Sequence, residues 1–295
     1  MKEYKLILLV SLLSIFRLAS APFPDIETIT YKSSDTLILK TGVYTHASFI
    51  SKSRGNVDFN VYLPPTWSKD NSSEYPLIIF LHGQNGSEYS FIDALSADSL
   101  NHWVKTESIP EMVVIALRGG ENTRDMQWYS DENVNMITSE ADDELRKYCN
   151  KKFNTTMDSS KISIIGHSRG ATGALNFAIN YPYKFSSIVS LSYVSDYTID
   201  RLKESVTKNR ESIINSSIGI QMYIGNKDRF ILEADRRGSW IISSYLKENG
   251  IVTVLKTLEG KTHDLAELFE YPYGLDYFLF CSKMWKKVKD KTYEK

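Results

Sequence analysis

The 295-residue chain is poor in cysteine: its 2 cysteines allow at most one internal disulfide, so a disulfide framework does not hold this fold together. It also lacks a charge imbalance. Lys+Arg 35 against Asp+Glu 36 leaves a net charge of -1, which gives no electrostatic argument for nucleic acid or an anionic membrane as partner. No segment is of low complexity, no internal repeat is present, and no linker rich in Pro, Gly or Ser divides the chain. Its length is enough to bury a large core, as one α/β domain or two smaller ones, and 18 Tyr and 13 Phe supply material for core and pocket.

The first residues differ in kind from the rest. Lys2 and Lys5 precede the apolar run Leu6 to Phe16, and Arg17 interrupts it before Leu18-Ala19-Ser20-Ala21. A basic start, a short apolar centre and small residues near a cleavage point are the plan of a secretory signal peptide. The run is far short of the ~20 residues that span a bilayer, which disfavours the competing reading of an uncleaved anchor. The expectation is a signal peptide over 1–21, cut after Ala21 or Ser20, and a secreted or periplasmic mature chain over 22–295 without a stable membrane span. The N-x-S/T tripeptides at Asn71, Asn85, Asn154 and Asn215 are consistent with export in a host that glycosylates.

Beyond the leader, Tyr44 to Ile50 and Val57 to Leu63 read as an antiparallel pair. Val57, Phe59 and Val61 alternate with Asp58 and Asn60, Arg54-Gly55-Asn56 supplies the turn, and Pro64-Pro65 ends the second strand. The pattern then becomes continuous apolar runs: Leu77 to Leu81, Met112 to Leu117, Ile162 to Ile165, Ile188 to Leu191, Ile218 to Ile224 and Val252 to Leu255. Such runs suit central parallel strands covered on both faces. Helix-length segments separate them at Ser90 to Thr106, Thr138 to Phe153, Ala171 to Tyr181, Asp196 to Glu211 and Glu233 to Asn249. The fold class is therefore α/β: one domain with a doubly wound, mostly parallel sheet whose N-terminal strands are antiparallel.

The chemistry centres on Gly166-His167-Ser168-Arg169-Gly170, directly behind the run Ile162 to Ile165. A strand turning sharply into a helix at a serine holds that side chain in a strained, exposed position, and the flanking glycines remove side chains that would collide there. Ala171, Gly173, Ala174 and Leu175 read as a small-residue helix able to pack closely on a sheet. A serine hydroxyl needs a base, and the base needs a third group to fix its tautomer. Of the 5 histidines, His263 lies just beyond the last strand, in Gly260-Lys261-Thr262-His263-Asp264, and is the candidate base. His167 sits beside the serine, so its ring is expected to point elsewhere; His46 and His102 carry no other functional signal. Asp228, after the strand ending at Ile224, is the candidate acid, ahead of Asp196 and Asp264. The sequence Leu81-His82-Gly83-Gln84 follows an apolar strand, so the backbone N–H of Gln84 or a neighbour, with that of Arg169, is the candidate oxyanion hole. His82 reads as a structural residue of that loop. No metal and no cofactor is expected.

In their order, His82-Gly83, Gly166-x-Ser168-x-Gly170, Asp228 and His263 resemble the esterase D-type group of α/β-hydrolases. That group includes S-formylglutathione hydrolases, feruloyl and acetyl-xylan esterases, siderophore esterases and the antigen 85 mycolyltransferases. Val61-Tyr62-Leu63-Pro64-Pro65, Gln127-Trp128-Tyr129 and Tyr181-Pro182-Tyr183-Lys184-Phe185 are similar as well, and the likeness runs from about Tyr44 to the C-terminal helix. It implies an α/β-hydrolase fold and a serine esterase working through an acyl-enzyme, with Ser168, His263 and Asp228 as nucleophile, base and acid; with the leader, the expected protein is a secreted esterase. The substrate class is a small-molecule or polysaccharide-linked ester. Acyl transfer to a sugar or lipid acceptor is the alternative activity, and a non-catalytic binding protein the alternative class. Many relatives have Met at the position of Arg169 and Gly at that of Ala171; the Arg169 guanidinium either crowds the acyl site or binds an acidic substrate group. In this architecture the helices carrying Cys149 and Cys281 cover opposite faces of the sheet, which implies two free, buried thiols. Tyr193 to Ser217 leaves no room for a large lid, and no propeller or extensive cap is present, which disfavours a lipase and a serine peptidase. Trp128, Tyr129, Tyr193 and Phe230 are expected to line the substrate pocket.

Overall fold

The computed structural model describes residues 40–120, 128–138, 143–193, 198–232 and 238–290. The expected leader, Gln127 and Asp196 lie outside them.

Eight strands form one sheet: β1 (Tyr44–Ser51), β2 (Gly55–Tyr62), β3 (Leu77–Leu81), β4 (Val113–Leu117), β5 (Ile162–His167), β6 (Ser187–Leu191), β7 (Gly219–Gly225) and β8 (Thr253–Leu258). Their order is β1-β2-β4-β3-β5-β6-β7-β8. β1 pairs antiparallel with β2, and β2 antiparallel with β4; every later pairing is parallel. The hairpin forms where Gly55 takes a left-handed φ of 81°, a conformation that carries a steric penalty for other residues. Val57, Phe59 and Val61 then turn inward, fully buried. All five side chains of β3 are buried as well, consistent with a strand covered on both faces, each contributing roughly 1.5–3 kcal/mol of hydrophobic stabilisation.

The helices are α1 (Ser90–Ala94), α2 (Ala97–Lys105), α3 (Asp131–Thr138), α4 (Glu144–Phe153), α5 (Arg169–Asn180), α6 (Thr198–Ser216), α7 (Arg229–Leu232), α8 (Gly238–Glu248), α9 (Leu265–Phe269) and α10 (Tyr273–Asp290). Several differ from the sequence reading. Ser90 to Thr106 is two helices, because Ser96 adopts extended backbone and its side chain accepts the Ser99 N–H, starting α2 afresh. Thr138 ends α3 instead of opening the next helix. The run Val252 to Leu255 is not covered on both faces: β8 is the last strand of the sheet, and Val252 and Val254 are 84% and 47% exposed.

Two apolar clusters flank the sheet. Leu77, Ile79 and Leu81 of β3 belong to one, together with Cys149 of α4; Ile78 and Phe80 belong to the other, together with Cys281 of α10. The alternation follows from the pleat, which sends successive side chains to opposite faces. Both cysteines are free and buried. Burial pushes the Cys149 thiol far up and that of Cys281 up to about 11, so neither is a thiolate at neutral pH.

Candidate active site

The loops at the C-terminal ends of β3, β5, β7 and β8 meet at one point. Strand β5 ends at His167, and Ser168 turns the chain into α5 with φ 54° and ψ −113°. Few non-glycine residues accept such backbone angles. The turn is tight enough to require both glycines. A Cβ on Gly166 would lie 2.1 Å from the Gly170 carbonyl oxygen, and one on Gly170 would lie 1.9 Å from that of Leu81. The Ser168 N–H is held by the Leu191 carbonyl at 2.9 Å.

Ser168 Oγ lies 3.0 Å from His263 Nε2, and His263 Nδ1 lies 2.7 Å from Asp228 Oδ2. The aspartate accepts the Nδ1 proton, which leaves Nε2 free to accept the serine proton. Asp228 is fully buried, on the turn after β7, and its Oδ1 accepts the Phe230 N–H at 3.0 Å. Burial alone would raise its pKa; the hydrogen bond and charge of His263 and the Phe230 N–H outweigh it and hold the carboxyl below its ordinary range. Asp264 has a different task, capping α9 through the N–H groups of Ala266 and Glu267.

The loop after β3 lies against the elbow. His82 is buried, donates Nδ1–H to the Gly83 carbonyl at 2.8 Å and accepts the Gly119 N–H at Nε2 at 3.1 Å. Its carbonyl accepts Trp128 Nε1–H at 2.9 Å. A Cβ on Gly83 would sit 3.1 Å from Ser168 Cβ, so the loop is as close to the nucleophile as backbone permits. Gln84, next along, accepts from Arg169 Nε at 3.2 Å through its side-chain oxygen. The Arg169 N–H, first in α5, has no acceptor within the helix.

A pocket of about 360 Å³ opens at Ser168, lined by the loop 83–86, by Ser90, Asp93 and Ala94 on α1, and by His167, His263, Asp264, Leu265 and Ala266. Its lining departs from expectation. Trp128 is fully buried beneath the loop, edge-on to His82, its Cβ filling the notch left by Gly173. Tyr193 is fully buried too, its carbonyl accepting the Ser239 hydroxyl at 2.8 Å. Tyr129 faces a separate cleft of about 300 Å³, with Arg201 5.5 Å above its ring. Phe230 alone of the four reaches the catalytic group, edge-on to the His263 ring at 4.6 Å. His167 also departs: its ring does not point elsewhere but lies beside His263, at 5.0 Å between ring centres. Among the described residues no helix is long and apolar enough to cross a membrane, and no group of three or more His, Cys, Asp or Glu side chains is arranged to hold a metal.

Burial pushes His82 down to about 4 and, with the nearby charge of His263, His167 down to about 3. Both folded values lie below the ordinary ~6.5 of an unfolded chain, so the unfolded state binds protons first as pH falls. The stability these two groups confer is fully present above pH ~6.5 and is lost progressively below it, at about 2 kcal/mol for each by pH 5. Thermal unfolding at pH 5 is thus expected several degrees below that at pH 7; an unchanged melting temperature would contradict the burial of these neutral rings.

Known proteins share this architecture. The fold matches a ferulic acid esterase at a TM-score of 0.69 and 17% identity, covering 82% of this chain and 98% of that one. It matches S-formylglutathione hydrolase (FrmB) from Staphylococcus aureus at 0.58 and 19%, covering 85% and 100%. FphF, a fluorophosphonate-binding serine hydrolase of Staphylococcus aureus, matches at 0.61 and 17%, covering 83% and 99%. A curated relative, the uncharacterized protein Cgl0967/cg1104 of Corynebacterium glutamicum, is 21% identical over 222 residues, or 69% of this chain. The chain spans about half the length of that relative, 52%. Residues 51–295 match the family described as "Putative esterase", and the chain belongs to that esterase family.

Proposed function

We propose that the protein is a secreted serine carboxylic ester hydrolase that works through an acyl-enzyme on Ser168. One observation carries the reading: the unbroken relay from Ser168 Oγ through His263 to the buried Asp228, with contacts of 3.0 and 2.7 Å at a strained elbow. His263 Nε2 takes the serine proton as Oγ adds to the ester carbonyl, and Asp228 keeps the tautomer and offsets the imidazolium charge. The N–H groups of Arg169 and Gln84 receive the negative charge that develops on the carbonyl oxygen. Collapse expels the alcohol, which leaves with the proton from His263. Water then attacks the acyl-enzyme with His263 as base, restoring Ser168 and releasing the acid.

Membership of the esterase family and the ester- and thioester-cleaving relatives of the same fold support this chemistry. The pocket is of a size for a small acyl or alcohol group, with Asp93, Ser90 and the Asn85 amide available to a hydroxylated one. Export is supported by the leader pattern of Lys2, Lys5 and the run Leu6 to Phe16. The test is a panel of p-nitrophenyl and sugar esters, run with and without acceptor alcohols, alongside covalent capture by a fluorophosphonate. Hydrolysis with labelling at Ser168 is the expected result. A folded protein that cleaves no ester and takes no label would overturn the proposal, and transfer to the acceptor in preference to water would replace hydrolysis with acyl transfer.

A further inference from the structure

His167 is the residue between glycine and serine in the elbow, a position that supplies no group to the reaction. Its side chain nevertheless occupies the junction of three site elements. The residue is 9% exposed and lines the pocket. Nε2–H donates to the main-chain carbonyl of His263 at 3.0 Å. On the other side, a Cβ added to Gly83 would lie 3.0 Å from His167 Nδ1, so the ring also abuts the loop that carries Gln84.

The loop bearing His263 is tied down on both flanks. The Lys261 carbonyl accepts the Lys227 N–H at 2.9 Å, the Thr262 N–H goes to Glu267 Oε2 at 2.9 Å, and Asp264 caps α9. At His263 itself the main-chain carbonyl is held by His167. Nε2 lies on the edge of the ring away from that backbone, so a tilt of the main chain is magnified where the serine proton is taken.

We propose that His167 is a positioning residue: its hydrogen bond to the His263 carbonyl fixes the imidazole over Ser168, a role that rests on the serine-esterase reading above. A ring that charged in step with His263 would defeat this purpose, since two cations 5.0 Å apart repel. Burial keeps His167 neutral throughout, so it holds the loop in both halves of the cycle. The effect sought is large, because a displacement of about 1 Å at a reacting group costs on the order of 100-fold in rate.

The experiment compares H167Q, whose amide N–H reaches about as far as the imidazole Nε2–H, with H167L, which has no donor. Each is screened by circular dichroism and melting temperature, then assayed for kcat and KM on p-nitrophenyl acetate. H167L is expected to lose about 100-fold in kcat with KM within about threefold of wild type, and H167Q to return within about fivefold of wild-type kcat. Should H167L not fold, H167N, whose amide stops short of the carbonyl, carries the same expectation. A folded variant without the donor that keeps kcat within about threefold of wild type overturns the proposal, as does H167Q performing no better than H167L. The downfield proton resonance of the His263–Asp228 hydrogen bond provides a readout without turnover. It is expected in wild type and H167Q and broadened or lost in H167L; an identical resonance in all three overturns the proposal. Wild type that cleaves no ester and takes no label overturns the esterase reading instead, and the resonance still decides the role of His167.

Discussion

Ser168→Ala is expected to lower kcat/KM for short p-nitrophenyl esters by about 10⁵-fold or more and to abolish fluorophosphonate labelling, because Ser168 Oγ is the hydroxyl bonded to the base His263 Nε2. The residual rate would come from the oxyanion donors and from binding alone. Folding is expected to survive, since alanine keeps the Cβ that lies against Gly83 and loses only the hydroxyl bonded to His263. Its backbone angles of φ 54° and ψ −113° make a sharper comparison available. Alanine keeps the steric penalty of a Cβ at positive φ, whereas glycine relieves it. Ser168→Gly should therefore be equally inactive yet melt above Ser168→Ala, by the equivalent of about 1–2 kcal/mol. Equal melting temperatures would show that the elbow stores no strain, and retained esterase activity in either variant would place the nucleophile elsewhere.

Gly170→Ala is expected to damage stability and activity together. The new methyl would lie 1.9 Å from the Leu81 carbonyl oxygen and 2.8 Å from that of His82, both backbone atoms that cannot rotate aside. Relief requires α5 to move away from β3. That separates the Arg169 N–H from the loop bearing Gln84 and weakens the packing of Ala171 and Ala174 on the sheet. The expected cost is about 3 kcal/mol or more, near 10 °C in melting temperature, with at least a 100-fold loss of kcat/KM. Gly120→Ala is the control: among the described residues nothing lies within 4 Å of the added Cβ there and its φ is not positive, so both quantities should stay at wild-type values. A Gly170→Ala protein that behaves like the control would mean that the contact between α5 and β3 is looser than described.

The parts of this molecule that could be read from its sequence are those in which local chemistry and tertiary role coincide. Unbroken apolar runs mark central strands because both faces of such strands are covered, and β3 and β4 have every side chain buried. Ser168, Asp228 and His263 stand in glycine-bearing segments just after strands, which is where a sheet presents its loops to one another. The misreadings arise where the outcome depends on a distant partner. His167 looked idle because its partner is a backbone carbonyl 96 positions away, which no residue type advertises. Trp128 was expected at the substrate because it is aromatic and near the edge of the sheet. It is buried instead because Gly173, on another element, leaves a notch for its Cβ and the His82 carbonyl takes its N–H. Ser90 to Thr106 has the apolar content of one helix, but a single serine cap at Ser96 divides it. β8 shows how an apolar run can mislead in the other direction, since the run Val252 to Leu255 looks the same whether the strand is central or last.

The two thiols, one on each side of the sheet, give the fold a property that concerns its surroundings more than its catalysis. No disulfide closes within the chain when it passes from a reducing to an oxidising compartment, because the sheet itself stands between its two cysteines. Glutathione has nothing to open and an oxidase has nothing to close. The protein needs no disulfide isomerase to reach its native state, and its thiols are in the same state whether the chain folds in a reducing cytoplasm or outside a cell.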